Sequence, residues 1–483
     1  MNNTVVLRDY QEQGVADIRD AFRGGARRVV YVSPTGSGKT VLFAFVARNA
    51  ANRGNRVCIL EHRRELVRQA GKALDDEGLP FGTIAAGRRD VSRSQVNVAA
   101  VQTLARRVEH YRDAFDLIIA DEAHHCVAGT WRTVVEANPK ARVLGVTATP
   151  ERLDGVGLGD VFDSMVLGPT VRDLIDRGYL ADYRLFRDPN PPDFSKIRRV
   201  AGEYHAGDLA EFMSSSTLVG NAVEHYKREA DGLPAVVFTV NVDSASMMAS
   251  SFRDAGYRAA SVDGSMDTAT RDERIGALGK GLDILTSCEL ISEGLDVPGI
   301  SAAILYRPTM SLAMCRQQIG RALRPKIGGG KAIILDHAGN THKHGLPCTE
   351  IEWSLTSKKR KSSVGNSEPV RTCPECFAVQ PIGASVCENC GFEFPRKEGP
   401  EIVDGSLEEV DVAAFANVSK TRASIDEAIG QCRTWEELEM LRKALGFKRG
   451  WAHHAARAIG WQETTNRAGY TVRFDPIAAV AAA

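Results

Sequence analysis

The chain has 483 residues, 43% hydrophobic and 25% charged, which is too long for one core and predicts roughly two to four domains of ordinary globular composition. It has no run of about 18 apolar residues to span a bilayer, and its start, MNNTVVLRDYQEQGV, lacks the apolar core of a secretory signal; membrane functions drop out, and a reducing, cytoplasmic location is expected, with the ten cysteines serving as thiols or metal ligands. Lys+Arg and Asp+Glu balance at 61 each, so any attraction for a polyanion has to be local.

In chain order, the first informative stretch is RRVVYVSPTGSGKTVLFAFVARNA, a short buried-strand pattern, a glycine-rich turn, then apolar residues at helical spacing. Strand, glycine loop and helix in that order make a P-loop. Thr35, Gly36, Ser37 and Gly38 let backbone N–H groups wrap a phosphate chain at a helix N-terminus, Lys39 neutralises β- and γ-phosphate charge, and the Thr40 hydroxyl suits Mg²⁺. Ser33 replaces the first glycine of the usual pattern, at the position farthest from the phosphates. Further on, FDLIIADEAHH predicts a buried strand whose carboxyl end delivers Asp121 and Glu122. Asp121 is suited to holding Mg²⁺ through water, and Glu122 to orienting or deprotonating the water that attacks the γ-phosphate.

With DEAH at Asp121–His124 followed by GVTATP at Gly145–Pro150, the sequence resembles the superfamily 2 DEAD/DEAH-type helicases over about its first 340 residues. The resemblance implies ATP and Mg²⁺ as cofactors and nucleic acid as partner. LRDYQ resembles the adenine-reading element, with Gln11 bonding the base; LEHRRELVRQA and VQTL resemble strand-binding elements, with Arg64 and Thr103 on phosphates. AVVFTVNVDSASMMASSFRDAG reads as strand, turn and helix, opening a second set of βαβ units with a parallel sheet. Within ILTSCELISEGLDVPGISAAILYRP, Gly294, Leu295 and Asp296 match the core of motif V, although Glu293 stands where many relatives carry arginine. QQIGRALRP matches motif VI, which assigns Gln317 and Arg321 to the γ-phosphate region and Arg324 to the arginine-finger role.

Beyond the motor, SLTSKKRKSSVGNSEPV is basic, serine-rich and aperiodic, and reads as a linker. Then Cys373, Cys376, Cys387 and Cys390 form C-x₂-C-x₁₀-C-x₂-C, the spacing of two knuckle turns that aim four thiolates at one structural Zn²⁺. The histidines His337, His342 and His344 lack metal-ligand spacing and read as ordinary loop residues. AAG at Ala85–Gly87, ILDHAGN at Ile334–Asn340 and the ribbon give a narrower likeness to the RadD-type bacterial and phage helicases tied to DNA repair. The last segment, around WEELEMLRKALGFKRGWAHHAARAIG, has helical periodicity, with Trp451 either stacking on nucleic acid or pinning a helical hairpin.

The expected fold is α/β: two RecA-like parallel-sheet domains in tandem at 1–165 and 216–350, a connecting segment at 166–215, a basic linker at 351–370, a small zinc ribbon at 371–396, and a linker plus helical module at 397–483. The expected function is an ATP-dependent helicase or translocase acting on nucleic acid, DNA with single-stranded or branched parts, with a replication or repair protein docking on the C-terminal modules. An RNA helicase, a remodeller that does not unwind and the motor subunit of a restriction system use the same motifs and stay open. A scaffold with a dead ATPase is opposed by intact Lys39, Asp121, Glu122, Arg321 and Arg324.

Overall fold

The structure is a computed structural model. It describes residues 6–87, 94–126, 129–150, 157–189, 191–200, 202–213, 216–288, 299–326, 329–356, 370–395, 422–445, 447–448, 450–465 and 471–475. Gly294 and Asp296 of the motif V likeness lie outside these residues.

Short, largely apolar runs build two parallel sheets, as expected for strands covered on both faces by crossover helices. The first sheet contains β1 (Arg28–Val32), β2 (Val57–Glu61), β3 (Gly82–Ile84), β4 (Val96–Ala100), β5 (Leu117–Ala120), β6 (Arg142–Thr147) and β7 (Ser164–Leu167), in the order β3-β4-β2-β5-β6-β1-β7. Helix α1 (Asp9–Arg23) leads into it, α2 (Lys39–Ala51) follows β1, and α3 (Arg64–Asp76) follows β2. β5 lies two strands from β1, so the loops after β1 and β5 open at the same sheet end, the usual ligand end of an open parallel sheet.

The second sheet contains β8 (Tyr183–Arg187), β11 (Ala235–Phe238), β12 (Ala259–Val262), β13 (Ile284–Ser287), β14 (Ala302–Leu305) and β15 (Ala332–Asp336), in the order β12-β13-β11-β14-β15-β8. Between β8 and β11 a small hairpin pairs β9 (Arg199–Val200) with β10 (Glu203–Tyr204). Helix α4 (Thr268–Ala277) follows β12, and α5 (Leu312–Ala322) follows β14. The two sheets are the tandem RecA-like domains. The expected connector 166–215 does more than connect, because β7 ends inside it and its β8 forms an edge of the second sheet.

The chain then returns to the first domain. Leu346 and Cys348 pack on the second domain's core, whereas Trp353 and Leu355 pack on the first domain's core beside Leu158 and Phe162. The Gly159 amide donates to the Leu355 carbonyl at 2.8 Å, and Arg316 of α5 donates to the Thr349 carbonyl at 2.6 Å. Residues 346–356 therefore strap the two motor domains together, and the start of the expected linker is packed chain. A cavity of about 200 Å³ remains between this strap, α5 and the strand end before the P-loop, lined by Pro34, Pro169, Ile319, Cys348 and Trp353 among others.

The ribbon is not a tethered appendage, as the linker composition suggested. Its hairpin, β16 (Val370–Thr372) with β17 (Val379–Pro381), lies against edge strand β8 through an antiparallel bridge, Phe186 to Ala378, and the Arg187 amide donates to the Phe377 carbonyl at 3.0 Å. Cys373, Cys376 and Cys387 are buried in the same cluster as Phe186, Tyr226 and Leu335 of the second motor domain. A row of unpaired edge amides and carbonyls is an aggregation liability, and here the ribbon covers it. Phe377 makes the fit in a left-handed conformation, φ 61°, that a bulky residue rarely adopts; its ring meets His225 edge-on at 5.7 Å.

The C-terminal residues form a second compact unit, with helices α6 (Arg422–Gln431), α7 (Trp435–Ala444) and α8 (Trp451–Ala458) and a hairpin of β18 (Gln462–Thr465) and β19 (Thr471–Asp475). α7 starts with a capping box between Thr434 and Glu437. Trp451 packs on this unit's apolar cluster, its ring 4.9 Å from that of Phe447, so it serves as a helix-pinning residue rather than an exposed stacking platform. No helix among the described residues is long and apolar enough to cross a membrane.

Candidate functional site

The P-loop begins where β1 ends. Gly36 and Gly38 take left-handed conformations, φ 86° and 76°, which a side chain would strain. Gly38 also has no room for one: a Cβ there would lie 2.6 Å from Gln11 Nε2. The Lys39 ammonium donates to the carbonyls of Ser33 and Pro34 at 3.0 and 3.1 Å, curling the loop around itself. Burial pushes the lysine below its ordinary range, against the opposing pull of Glu122 and Asp121. The Ser33 hydroxyl donates to Ser37 Oγ at 2.8 Å inside the loop, and Thr35 and Thr40 are half-buried at its surface.

Gln11 reaches this loop from the first turn of α1. Its carbonyl oxygen accepts from the Arg8 amide at 2.9 Å, and its amide donates to the carbonyls of Gly38 and Ser37 at 3.1 and 3.3 Å. The residue expected to read adenine thus also holds the P-loop. Beside it the Arg8 guanidinium lies 4.8 Å over the Tyr179 ring, and Tyr10 donates to the Ser37 carbonyl at 2.8 Å. This cation–aromatic pair is suited to a flat base. Arg8 and Tyr10 lay within the quoted LRDYQ, but Tyr179 belonged to no motif.

Asp121 and Glu122 emerge from β5. The Glu122 amide donates to Asp121 Oδ1 at 2.9 Å, and Glu122 itself is left-handed, φ 47°. Burial first and Glu122 second raise the Asp121 carboxyl to about 6, with Lys39 opposing. His124 places Nδ1 3.1 Å from Thr147 Oγ1 and 3.4 Å from Glu122 Oε2, and Thr147 donates to the Thr149 carbonyl at 3.0 Å. The GVTATP segment is therefore wired to the DEAH turn through a histidine to which the sequence reading gave no role. Glu61, also unassigned, stands at the end of β2, buried beside both acids, and burial followed by their charges raises its carboxyl well above the ordinary range.

The second motor domain closes the site. Gln317 of α5 donates to Glu122 Oε1 at 2.8 Å across the cleft. Gly320 comes so near the P-loop that a Cβ there would sit 2.6 Å from the Thr35 Cβ. Arg321 is buried, and its charge acts on Lys39; Arg324, just past the helix, is half-buried and acts on Lys326. Away from the nucleotide cleft, Arg271 of α4 pairs with Glu65 of α3 at 3.0 Å with both largely buried, and Arg68 pairs with Asp272 at 3.2 Å in solvent. Neither bridge was predicted, since each joins helices far apart in the chain. Arg64 is exposed at the start of α3, and Thr103 is half-buried on the helix Val101–Arg106.

The four ribbon sulfurs lie within 4.8 Å of one another, with Cys373 to Cys390 and Cys376 to Cys387 both at 3.6 Å. Tetrahedral zinc with sulfurs at about 2.3 Å sets them about 3.8 Å apart. His342 and His344 bond backbone carbonyls at 2.7 and 2.9 Å, while His337, expected as an ordinary loop residue, is stacked on His225 at 5.1 Å, and burial holds its imidazole down at about 3.

A P-loop, an acidic pair and a glutamine–arginine helix brought together by two RecA-like domains define an ATP-driven nucleic-acid motor. Residues 4–152 match the family described as the res subunit of type III restriction enzymes, and residues 218–326 match the helicase conserved C-terminal domain. The chain is 33% identical over 372 residues to the 51.5 kDa protein of a Lactococcus phage, covering 76% of this chain and 79% of that one. It is 30% identical over 355 residues to IRC3 of Saccharomyces cerevisiae, which carries the name of an ATP-dependent helicase; that match covers 69% of this chain and 52% of the yeast protein. A fragment assigned as the HsdR subunit of a type I restriction enzyme from Vibrio vulnificus shares the fold, with a TM-score of 0.57 at 22% identity over 71% of this chain and 66% of that one. The chain belongs to the superfamily 2 helicases, and it is an ATP-dependent enzyme of the helicase and translocase type.

Proposed function

We propose that the chain hydrolyses ATP with Mg²⁺ in the cleft between its motor domains and uses the resulting closing and opening to travel along DNA with single-stranded or branched parts. One observation carries the proposal: Gln317 donates to Glu122 while Arg321 lies within electrostatic reach of Lys39, so groups from both domains meet where the γ-phosphate would lie. In this reading Thr40 and Asp121 hold Mg²⁺, which screens phosphate charge. Gln11 gives up its P-loop bonds to meet adenine, helped by Arg8 and Tyr179. Glu122 orients the attacking water, Arg321 and Arg324 offset charge developing on the transferred phosphoryl, and Arg64 and Thr103 grip strand phosphates. Gly294 and Asp296 would complete the second half-site.

DNA is favoured over RNA because the family matched over residues 4–152 is that of restriction-enzyme res subunits. The RadD-type likeness of the motifs favours a role in repair or replication, inside the cell. Four thiolates at this spacing suit one Zn²⁺, which would lock the ribbon's fold. ATP turnover stimulated by single-stranded DNA, duplex DNA, forked DNA or RNA tests the reading. Stimulation by forked or single-stranded DNA above RNA is expected; stimulation by RNA alone sinks the choice of substrate.

A further inference from the structure

The nucleotide site leaves one buried carboxylate without a task. Glu61 is 1% exposed, and its Oε2 has no hydrogen-bond partner. In the parallel register of β2 with β5, Leu60 faces Ala120, so Glu61 stands beside Asp121, whose amide donates to the Leu60 carbonyl at 3.3 Å. Asp121 and Glu122 are both near enough for their charges to act on it. Neither acid can satisfy Glu61 with a proton of its own while ionised; Asp121 already accepts from the Glu122 amide, and Glu122 from Gln317. A buried oxygen left without a donor costs on the order of 1–3 kcal/mol, more when charged. The Glu61 oxygen would be satisfied by positive charge and a hydrogen-bond donor together, and a hydrated divalent cation supplies both. Mg²⁺ keeps several of its waters and is held by only one or two carboxylates, so the remaining waters need acceptors.

We propose that Glu61 is a positioning residue of the Mg²⁺ site, accepting a hydrogen bond from water on the ion that Asp121 and Thr40 hold. This rests on reading the cleft as an ATP site. Glu61 does not touch the phosphates; it fixes the hydrated ion against Asp121, and its oxygen gains the donor it lacks. Metal-free, the same carboxylate is a burden on the fold, so the site gains more from the ion than Asp121 alone would.

Mg²⁺ titrated into the full-length protein with a fluorescent ADP analogue tests this. For Glu61→Gln, which keeps the shape and removes the charge, the Mg²⁺ midpoint should rise about tenfold. Excess Mg²⁺ should restore binding, and the metal-free melting temperature should stay level or rise. A merely structural glutamate gives the opposite pattern, a lower melting temperature with an unmoved midpoint, and an unmoved midpoint overturns the proposal whatever the melting does. Glu61→Ala supplies the same readout should the glutamine variant fail to accumulate. If the parent itself binds the analogue with no dependence on Mg²⁺, the reading of the cleft fails instead.

Discussion

The second motor domain is held on two sides, and the two seams are built from different materials. Toward the first motor domain the contacts near the nucleotide and strand sites include polar side-chain pairs, Gln317 with Glu122 and Arg271 with Glu65. Toward the ribbon, the contact is a backbone bridge at the end of β8 plus buried apolar surface that includes three cysteines. Polar pairs can be exchanged for water or phosphate at little net cost, whereas stripped strand pairing and exposed apolar surface cannot. The first seam is thus the better suited to opening, and the second to staying shut, in which case the ribbon would ride with the second motor domain.

The sharpest way to break this contrast starts at the cleft. Glu122→Gln should leave nucleotide binding nearly intact and cut turnover by about 10²–10⁴-fold, since it removes the base and keeps the shape; near-normal turnover would remove Glu122 from the chemistry. At the ribbon, changing Cys373 and Cys376 together to serine should release about one zinc per chain and lower the melting temperature of the second motor domain by roughly 5–10 °C, because the thiols share its core. Were the motor to melt unchanged, the ribbon would be an independent module after all.

A pH series sharpens the polar side. The folded protein holds the Asp121 proton more tightly than the unfolded chain, so stability from this group is present below the ordinary carboxylate range and is lost as pH rises through about 6. Mg²⁺ binding needs the ionised form, so its midpoint should rise about tenfold from pH 7 to pH 5, and Asp121→Asn should flatten the metal-free stability profile over that window. Smallest of all, Arg68→Ala removes an ion pair about half exposed on each side and should change stability by less than about 0.5 kcal/mol; a larger loss would mean that the open seam is less yielding than its contacts suggest.

What could be read from the sequence was what lies contiguous in it. The P-loop, the DEAH turn and the C-x₂-C pairs each compress a geometry into a few residues, and so did the apolar runs of both sheets. Glu61 could not be found that way, because one glutamate ending an apolar strand looks like a solvated strand end until β5 is laid beside it. The ribbon's docking was equally hidden: a serine-rich basic stretch precedes it, and the pairing of Phe186 with Ala378 joins residues with nothing local in common. Composition read the boundary as a tether, while burial of Trp353 and Leu355 depends on the distant Leu158 and Phe162.

The strap at 346–356 changes what kind of motion the motor can make. A pair of domains joined by one connection can swivel about it in any direction. Among the described residues the chain passes between them after β7 and again at the strap, whose two ends pack on the apolar cores of the two domains. These two separated crossings favour rotation about the line that joins them, the movement that stretches neither. The cavity of about 200 Å³ beside the strap and α5 leaves room for side chains to shift near that line. A swing about that line is then less hindered than a free swivel of one domain on the other.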